Sequence, residues 1–277
     1  MVSTLPINTR ISPAPPQVRS TIQSLQSSLV QWRRHLHQRP ELGFEENLTA
    51  DFITQQLTQW GIEHQTGIAK TGIVATINGT RPGPVLAIRA DMDALPIQEL
   101  NQVPYRSLHD GKMHACGQDG DTAMLLGAAK YLAGTRNLDG TAVVIFQPAE
   151  EGGAGGKAMC DDGMMEKFGI QEVYGLHNMP GLPVGEFAIR PGPIMAGTDE
   201  FTIDITGTGA HAAMPHMGTD PVIIATQMVQ ALQSIVSRNV DPLMSAVVTV
   251  TAIHAGKAYN VIPQQAQFYG TIRTLDG

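Results

Sequence analysis

The sequence predicts an α/β domain followed by a smaller α+β domain, and three observations carry that prediction. Short apolar runs bounded by Gly and Pro alternate with helical stretches over the first two thirds of the chain. Polar residues capable of chemistry sit at the ends of those runs, where open α/β sheets place ligand-handling groups. Beyond a Pro/Gly-rich hinge, "RPGPIMAGTDE" (190–200), the order changes to strand, helix, strand, strand.

From Ile22 onward, Leu25, Leu29, Trp32 and Leu36 recur at three- and four-residue steps, which predicts a helix that Pro40 stops. Leu48, Phe52, Ile53, Leu57 and Trp60 predict a second helix ending at Gly61. The period then changes: "GIVATI" (72–77) and "PVLAIRAD" (84–91) read as strands, the second apolar enough to lie buried. "TAMLLGAAKYLAG" (122–134) is helical in composition and closes at Gly134. "TAVVIFQPAEEG" (141–152) is a buried strand running into a polar end, and "EVYGLHN" (172–178) repeats that plan.

After the hinge, "EFTIDITG" (200–207) alternates as a strand, and a helix follows from about Pro221 to Val236. "SAVVTVTAIHAG" (245–256) and "QAQFYGTIRT" (265–274) are further strands. Another helix and strand would complete a ferredoxin-like split-βαβ fold, so this α+β domain is expected to be incomplete. The expected organisation is a flexible tail over 1–17, a first domain over 18–194 and a second over 195–277.

A chain of 277 residues with 42% hydrophobic composition can build a substantial core. Its net charge of -7 is spread along the chain, which leaves no basic footprint for nucleic acid. Cys116 and Cys160 cannot make a disulfide framework, which points to a reducing compartment, with the cytoplasm as the default. "MVSTLPINTRISPAPPQ" lacks the apolar run of a signal peptide, and no membrane-length apolar stretch occurs. "GGAGGKA" (152–158) lacks Walker spacing and reads as a flexible turn.

Five segments offer carboxylate, thiol or imidazole groups: Asp91 with Asp93; His114, Cys116, Asp119 and Asp121; Glu150 with Glu151; His177; and His211 with His216. Adjacent glutamates at the end of an apolar strand repel one another unless a cation lies beside them, so a metal is the economical explanation. One glutamate can then bind the ion while the other moves a proton. A borderline ion such as Zn²⁺ accepts thiolate, carboxylate and imidazole together, which matches Cys116, Glu151 and His177. No GxSxG elbow is present, which argues against an ordinary serine hydrolase. Cys116 as a nucleophile, with His114 or His177 as its base, leaves the glutamate pair unexplained.

Taken together, "WRRHLHQRPELGFEE", "AIRADMDALPIQE", "HDGKMHACGQD", "FQPAEEGGAGGKAM", "GLHNMPGLPVGE", "GAHAAMPHMGTDP" and "NVIP" with "GTIRT" resemble the metal-dependent aminoacylases. That family includes hippurate hydrolase, N-acyl-amino-acid amidohydrolases and auxin-conjugate hydrolases. The resemblance implies a three-layer, zinc-exopeptidase-like catalytic domain and a lid domain that pairs into a homodimer. It also implies a centre of two divalent ions (Zn, Mn, Co or Ni) that hydrolyses the amide bond of a small N-acyl amino acid.

By position in those motifs, Cys116, Glu151 and His177 would be metal ligands and Glu150 the general acid/base. Asp93 and Asp119 would be supporting carboxylates. His211 would polarise the scissile carbonyl from the lid, and Asn260 and Arg273 would hold the substrate, a guanidinium suiting its free carboxylate.

Two departures stand out. The family pattern around Cys116 reads His-Ala-Cys-Gly-His-Asp-Gly-His, whereas Gln118 and Asp121 replace two of its histidines here. Gln118 then sits at a ligand position with a neutral carbonyl, a poor donor to a transition metal. Asp121, three residues on, could return a carboxylate to the same face if the segment is helical. The family also continues beyond "TLDG", finishing the lid and supplying a last histidine ligand, so the sequence reads as a shortened chain with impaired activity. A non-catalytic relic that binds a ligand or pairs with a subunit, and a metallo-dipeptidase or aminopeptidase, stay open as alternatives.

Overall fold

The alternation of apolar runs and helices folds, in a computed structural model that describes residues 20–275, into a mixed five-stranded sheet between helical layers. The tail expected over 1–17 lies outside the described residues. The described chain divides into two units, residues 20–184 and 185–275.

In the first unit the predicted N-terminal helix forms in two pieces, α1 (Ser20–Gln23) and α2 (Gln26–His37). α3 (Asn47–Gln59) follows, and Gly61 ends it at φ +64°. Leu48 departs from the expected buried face: it lies in the exposed first turn of α3, where its backbone N–H donates to Glu41 Oε1. β1 (Glu63–Ile68), β2 (Gly72–Asn78) and β3 (Arg81–Asp91) come next, then α4 (Gln118–Thr135) and β4 (Asp139–Gln147). Two short helices, α5 (Gly155–Asp161) and α6 (Met164–Lys167), lead to β5 (Glu172–Gly175).

The sheet order is β1-β2-β4-β3-β5. β1, β2 and β4 pair antiparallel, whereas β3 runs parallel to both β4 and β5. Period-2 alternation assigns the two faces. Ile73, Ala75 and Ile77 of β2 and Ala142, Val144 and Phe146 of β4 face one way, toward Ile53 and Leu57 of α3 and Leu125 and Leu126 of α4. Val74, Val143 and Ile145 face the other way, against Met159 of α5 and Met164 of α6. Trp32 and Trp60 meet with ring centroids 5.3 Å apart, and Lys130 Nζ lies over both rings, which ties α2, α3 and α4 together.

Three local departures from the sequence reading have physical causes. α4 starts at Gln118 rather than near Thr122, because Gly117 at φ +94° turns the chain into the helix; a Cβ there would meet Asn178 Oδ1 at 2.5 Å. The segment read as a flexible turn becomes, from Gly155, the first turn of α5, packed so closely that a Cβ would lie 1.7 Å from the Pro148 carbonyl oxygen. β5 is exposed rather than buried, since among the described strands it is outermost and pairs with β3 alone.

The second unit carries β6 (Gly197–Thr206), β7 (Ala210–His211), α7 (Pro221–Ser234), β8 (Ala246–Ala255), β9 (Val261–Ile262) and β10 (Gln265–Thr274). β10 lies antiparallel between β6 and β8, and β7 pairs with β9. α7 opens on Asp220, whose Oδ1 accepts from the Val222 N–H at 2.8 Å, with Pro221 in the first turn. Its Ala225 packs with Phe268 and Ala266 of β10 to form a separate core. Among the described residues no helix is long and apolar enough to cross a membrane.

Candidate active site

Parallel pairing sets the site. Register places Asp91 of β3 opposite Gln147 of β4, and Arg89 opposite Gly175 of β5. The three strands therefore end together, and the residues just past them, Asp93, Glu150, Glu151 and His177, emerge at one edge of the sheet. The start of α4 supplies Gln118, Asp119 and Asp121 there, immediately after Cys116.

The turn after β4 is held from several sides. Asp93, 1% exposed, accepts the backbone N–H of Glu150 on Oδ1 and that of Glu151 on Oδ2, both at 2.9 Å. Ala149, in the left-handed region at φ +49°, donates its N–H to the buried Glu46 at 2.8 Å. The glutamate side chains are thereby fixed at the sheet end with their carboxylates exposed. Burial, then the nearby Asp91 and Glu151 charges, pushes the Glu150 carboxyl above its ordinary value. Burial likewise raises Asp91, against the pull of Arg89 at 3.0 Å.

Cys116 Sγ lies 3.2 Å from His177 Nε2, and the thiol also hydrogen-bonds Glu151. Burial and then Glu151 push this thiol up to about 12, so without a cation it stays protonated. Asp121 does not return a carboxylate to the ligand position. Its Oδ1 accepts from the backbone and side-chain nitrogens of Asn178 at 3.2 and 3.0 Å, and its Oδ2 lies 2.9 Å from His177 Nδ1. That last approach has ion-pair distance without hydrogen-bond alignment. It still leaves His177 Nε2 as the nitrogen directed at Cys116, the arrangement of a carboxylate behind a ligating imidazole.

Gln118 is 0% exposed, and its Nε2 donates to Glu150 Oε2 and to Glu151 Oε1, both at 3.3 Å. Its Oε1 is buried with no partner. Asp119 turns away from this pair toward α2, bonding His37 Nδ1 at 2.7 Å and Arg33 Nε at 2.9 Å. His37 Nε2 meets Glu99 at 3.3 Å. Next to them His114 has no partner on either ring nitrogen, and burial lowers it to about 4, so it is neutral.

Sequence reasoning missed His37, Arg33, Glu46, Glu99 and Asn178 as supports. All lie inside the motif stretches, Arg33, His37 and Glu46 in the one from Trp32, Glu99 at the end of the one around Asp93 and Asn178 in the one around His177, and their roles depend on partners distant in sequence.

In the second unit His211 pairs opposite Val261. Its Nδ1 accepts from the Ala213 N–H at 3.1 Å, which leaves Nε2–H as the free donor of the neutral ring. The Asn260 carbonyl accepts from Ala212 at 3.0 Å, so His211 and Asn260 are brought together. Arg273 donates to Thr271 Oγ1 and the Ile272 carbonyl. It sits at the end of β10 remote from that pair, since the strand rises about 26 Å from Gln265 to Arg273.

The donor set of Cys116, Glu151 and His177 suits one borderline divalent ion. A tetrahedral ion separates a thiolate from an imidazole nitrogen by about 3.6 Å, a few tenths more than the contact seen. Among the described residues, no group of three or more His, Cys, Asp or Glu is already arranged as a metal cluster.

The chain is similar over most of its length to known proteins. The profile of peptidase family M20/M25/M40 matches residues 87–274. The chain is 49% identical over 256 residues to N-acetyl-L-cysteine deacetylase of Bacillus subtilis, covering 92% of this chain and 61% of that protein. It is 45% identical over 255 residues to hippurate hydrolase of Campylobacter jejuni, covering 92% and 66%. The chain thus spans less than two thirds of the length of these curated relatives. Among solved structures, the YXEP protein of Bacillus subtilis, described as a dinuclear metal binding peptidase from the M20 family, superposes with a TM-score of 0.74 at 41% identity. That match covers 92% of this chain and 65% of YXEP. These matches place the chain in peptidase family M20/M25/M40.

Proposed function

We propose that the protein is a metal-dependent amidohydrolase that cleaves the amide bond of N-acyl amino acids. The observation that carries this reading is the Cys116–His177 contact at 3.2 Å beside two glutamates whose backbone Asp93 fixes. Cys116, Glu151 and His177 would hold a divalent ion, with Zn, Mn, Co and Ni all compatible with the donors. Such an ion supplies a Lewis acid next to the amide and makes water acidic at neutral pH.

The chain's own residues do the rest. Glu150 takes and returns a proton at its carboxylate, and its raised affinity for protons suits delivery to an amine leaving group. Asp121 and Asn178 fix the orientation of His177. His211, with Nε2–H free, is a donor for a developing oxyanion. The names of the curated relatives, a deacetylase of N-acetyl-L-cysteine and a hippurate hydrolase, support an acylated amino acid as substrate. The β6–β10–β8 unit (residues 185–275) would act as the lid and pair into a homodimer, and unpaired Cys116 and Cys160 suit the cytoplasm.

The test is a substrate panel. Purified protein supplied in turn with each of the four metals is given N-acetyl and N-benzoyl amino acids beside free-amine dipeptides. Release of amino acid from the acylated compounds is expected. Cleavage confined to the dipeptides would overturn the substrate assignment.

A further inference from the structure

We propose that the side-chain amide of Gln118 takes the place of a second cation, so that this site holds one divalent ion and not two. The inference rests on the reading that Cys116, Glu151 and His177 hold an ion. Its own evidence is the geometry around Gln118.

Two adjacent carboxylates at a sheet end need positive charge or N–H donors between them. Gln118 provides the donors: its two N–H groups reach one glutamate each, Glu150 Oε2 and Glu151 Oε1, both at 3.3 Å. With both glutamates ionised the amide keeps this orientation, because turned the other way Oε1 would face two carboxylate oxygens. The NH2 end has no lone pair to give a metal, so the side of Gln118 that faces the glutamates is closed to coordination. The carbonyl end points away, and Oε1 is buried without a partner. That orphaned oxygen carries a desolvation cost that remains while the NH2 group stays on the glutamates.

Neither neighbour on α4 compensates. Asp119 is bonded to His37 and Arg33, and Asp121 to Asn178 with His177 beside it. Beside the glutamate pair, the donors free to take a metal are those gathered at Cys116, enough for one open site of three protein ligands. An imidazole at position 118 would have a nitrogen lone pair where Gln118 has N–H groups, and would open the second position.

Metal content of the full chain decides the matter. Apo protein is titrated with Co²⁺ while the thiolate-to-cobalt charge-transfer absorption is followed, and Zn²⁺ retained after desalting is counted by elemental analysis. The wild type is expected to saturate at one equivalent of either metal, and Gln118→His at two. Two equivalents in the wild type would overturn the inference while leaving the Cys116 site standing. No retained metal and no thiolate band in either protein would overturn the donor set itself, and the inference with it.

A measurement without metal needs no second site to form. In chelator, Gln118→Met keeps the volume but removes both N–H donors, and the melting midpoint should fall by several degrees. An unchanged midpoint would show that the amide does not hold the glutamates together, and would contradict the proposal.

Discussion

Asp121 shows how one carboxylate can look like a ligand in sequence and act behind one in space. It lies one helical turn from Gln118, but its Oδ1 accepts from Asn178 and its Oδ2 stands 2.9 Å behind His177 Nδ1. It fixes the ring by which His177 presents Nε2 to Cys116. Asp121→Ala should therefore keep every proposed ligand and still lower the affinity for Zn²⁺ by about 10–100-fold, as loss of a carboxylate behind a ligating histidine does. A competition titration against a chromophoric chelator measures this directly, and unchanged affinity would remove Asp121 from the site. Gln118 makes the complementary point, since a residue that looks like a missing ligand is fully used as a donor to both glutamates.

At the scale of elements, α2 and α4 are joined on one face of the sheet by the His37–Asp119 pair, and that joint is sensitive to pH. The hydrogen bond from His37 to Asp119 raises the imidazole above its ordinary 6.5, against burial and the Arg33 charge. Asp119 is lowered: burial acts to raise it, and the His37 hydrogen bond and the Arg33 charge outweigh that. Glu99 faces the other ring nitrogen, the Tyr105 ring lies edge-on, and His114 stands alongside.

A group whose folded value is raised contributes stability that is complete below its unfolded value of 6.5 and fades as pH rises through the folded value. His114 is neutral in both states above 6.5 and so adds nothing in that window. Unfolding free energy from urea titrations should thus decline as pH rises above 6.5, and Asp119→Asn should flatten that decline. A slope identical in the variant would show that this pair does not carry it.

Across the whole molecule there are, among the described residues, three cores, one against each face of the first unit's sheet and one in the second unit, and each is made only of residues from its own unit. Phe146 belongs to a core of the first unit and Phe268 to that of the second, and both are 0% exposed. Truncating either to Ala should cost about 3–5 kcal/mol. Hydrogen exchange should place the Phe146→Ala loss in residues 20–184 and the Phe268→Ala loss in residues 185–275. Equal loss of protection in both units from one substitution would mean that they unfold as one.

The fold was largely legible because apolar periodicity is a local signal. The β2, β3, β4, β6, β8 and β10 strands and α3 follow it closely. The early start of α4 was not legible, because it depends on the left-handed turn at Gly117 and on Asn178, which lies 61 residues away in sequence. Exposure of β5 depends on its place at the sheet edge, which no local pattern encodes. Within the site, the residue types at Cys116, Glu150, Glu151 and His177 were readable. The direction of the Gln118 amide and the partner of Asp121 were not, since each is fixed by groups that only folding brings near.

The most direct test of the central claim is amide hydrolysis by the full chain supplied with a divalent ion, compared with Glu150→Gln. The account predicts turnover of an N-acyl amino acid by the wild type, and a fall of about 10²–10⁴-fold in the variant with metal content unchanged. A wild type inactive with each of Zn, Mn, Co and Ni, or a variant as fast as the wild type, would contradict it.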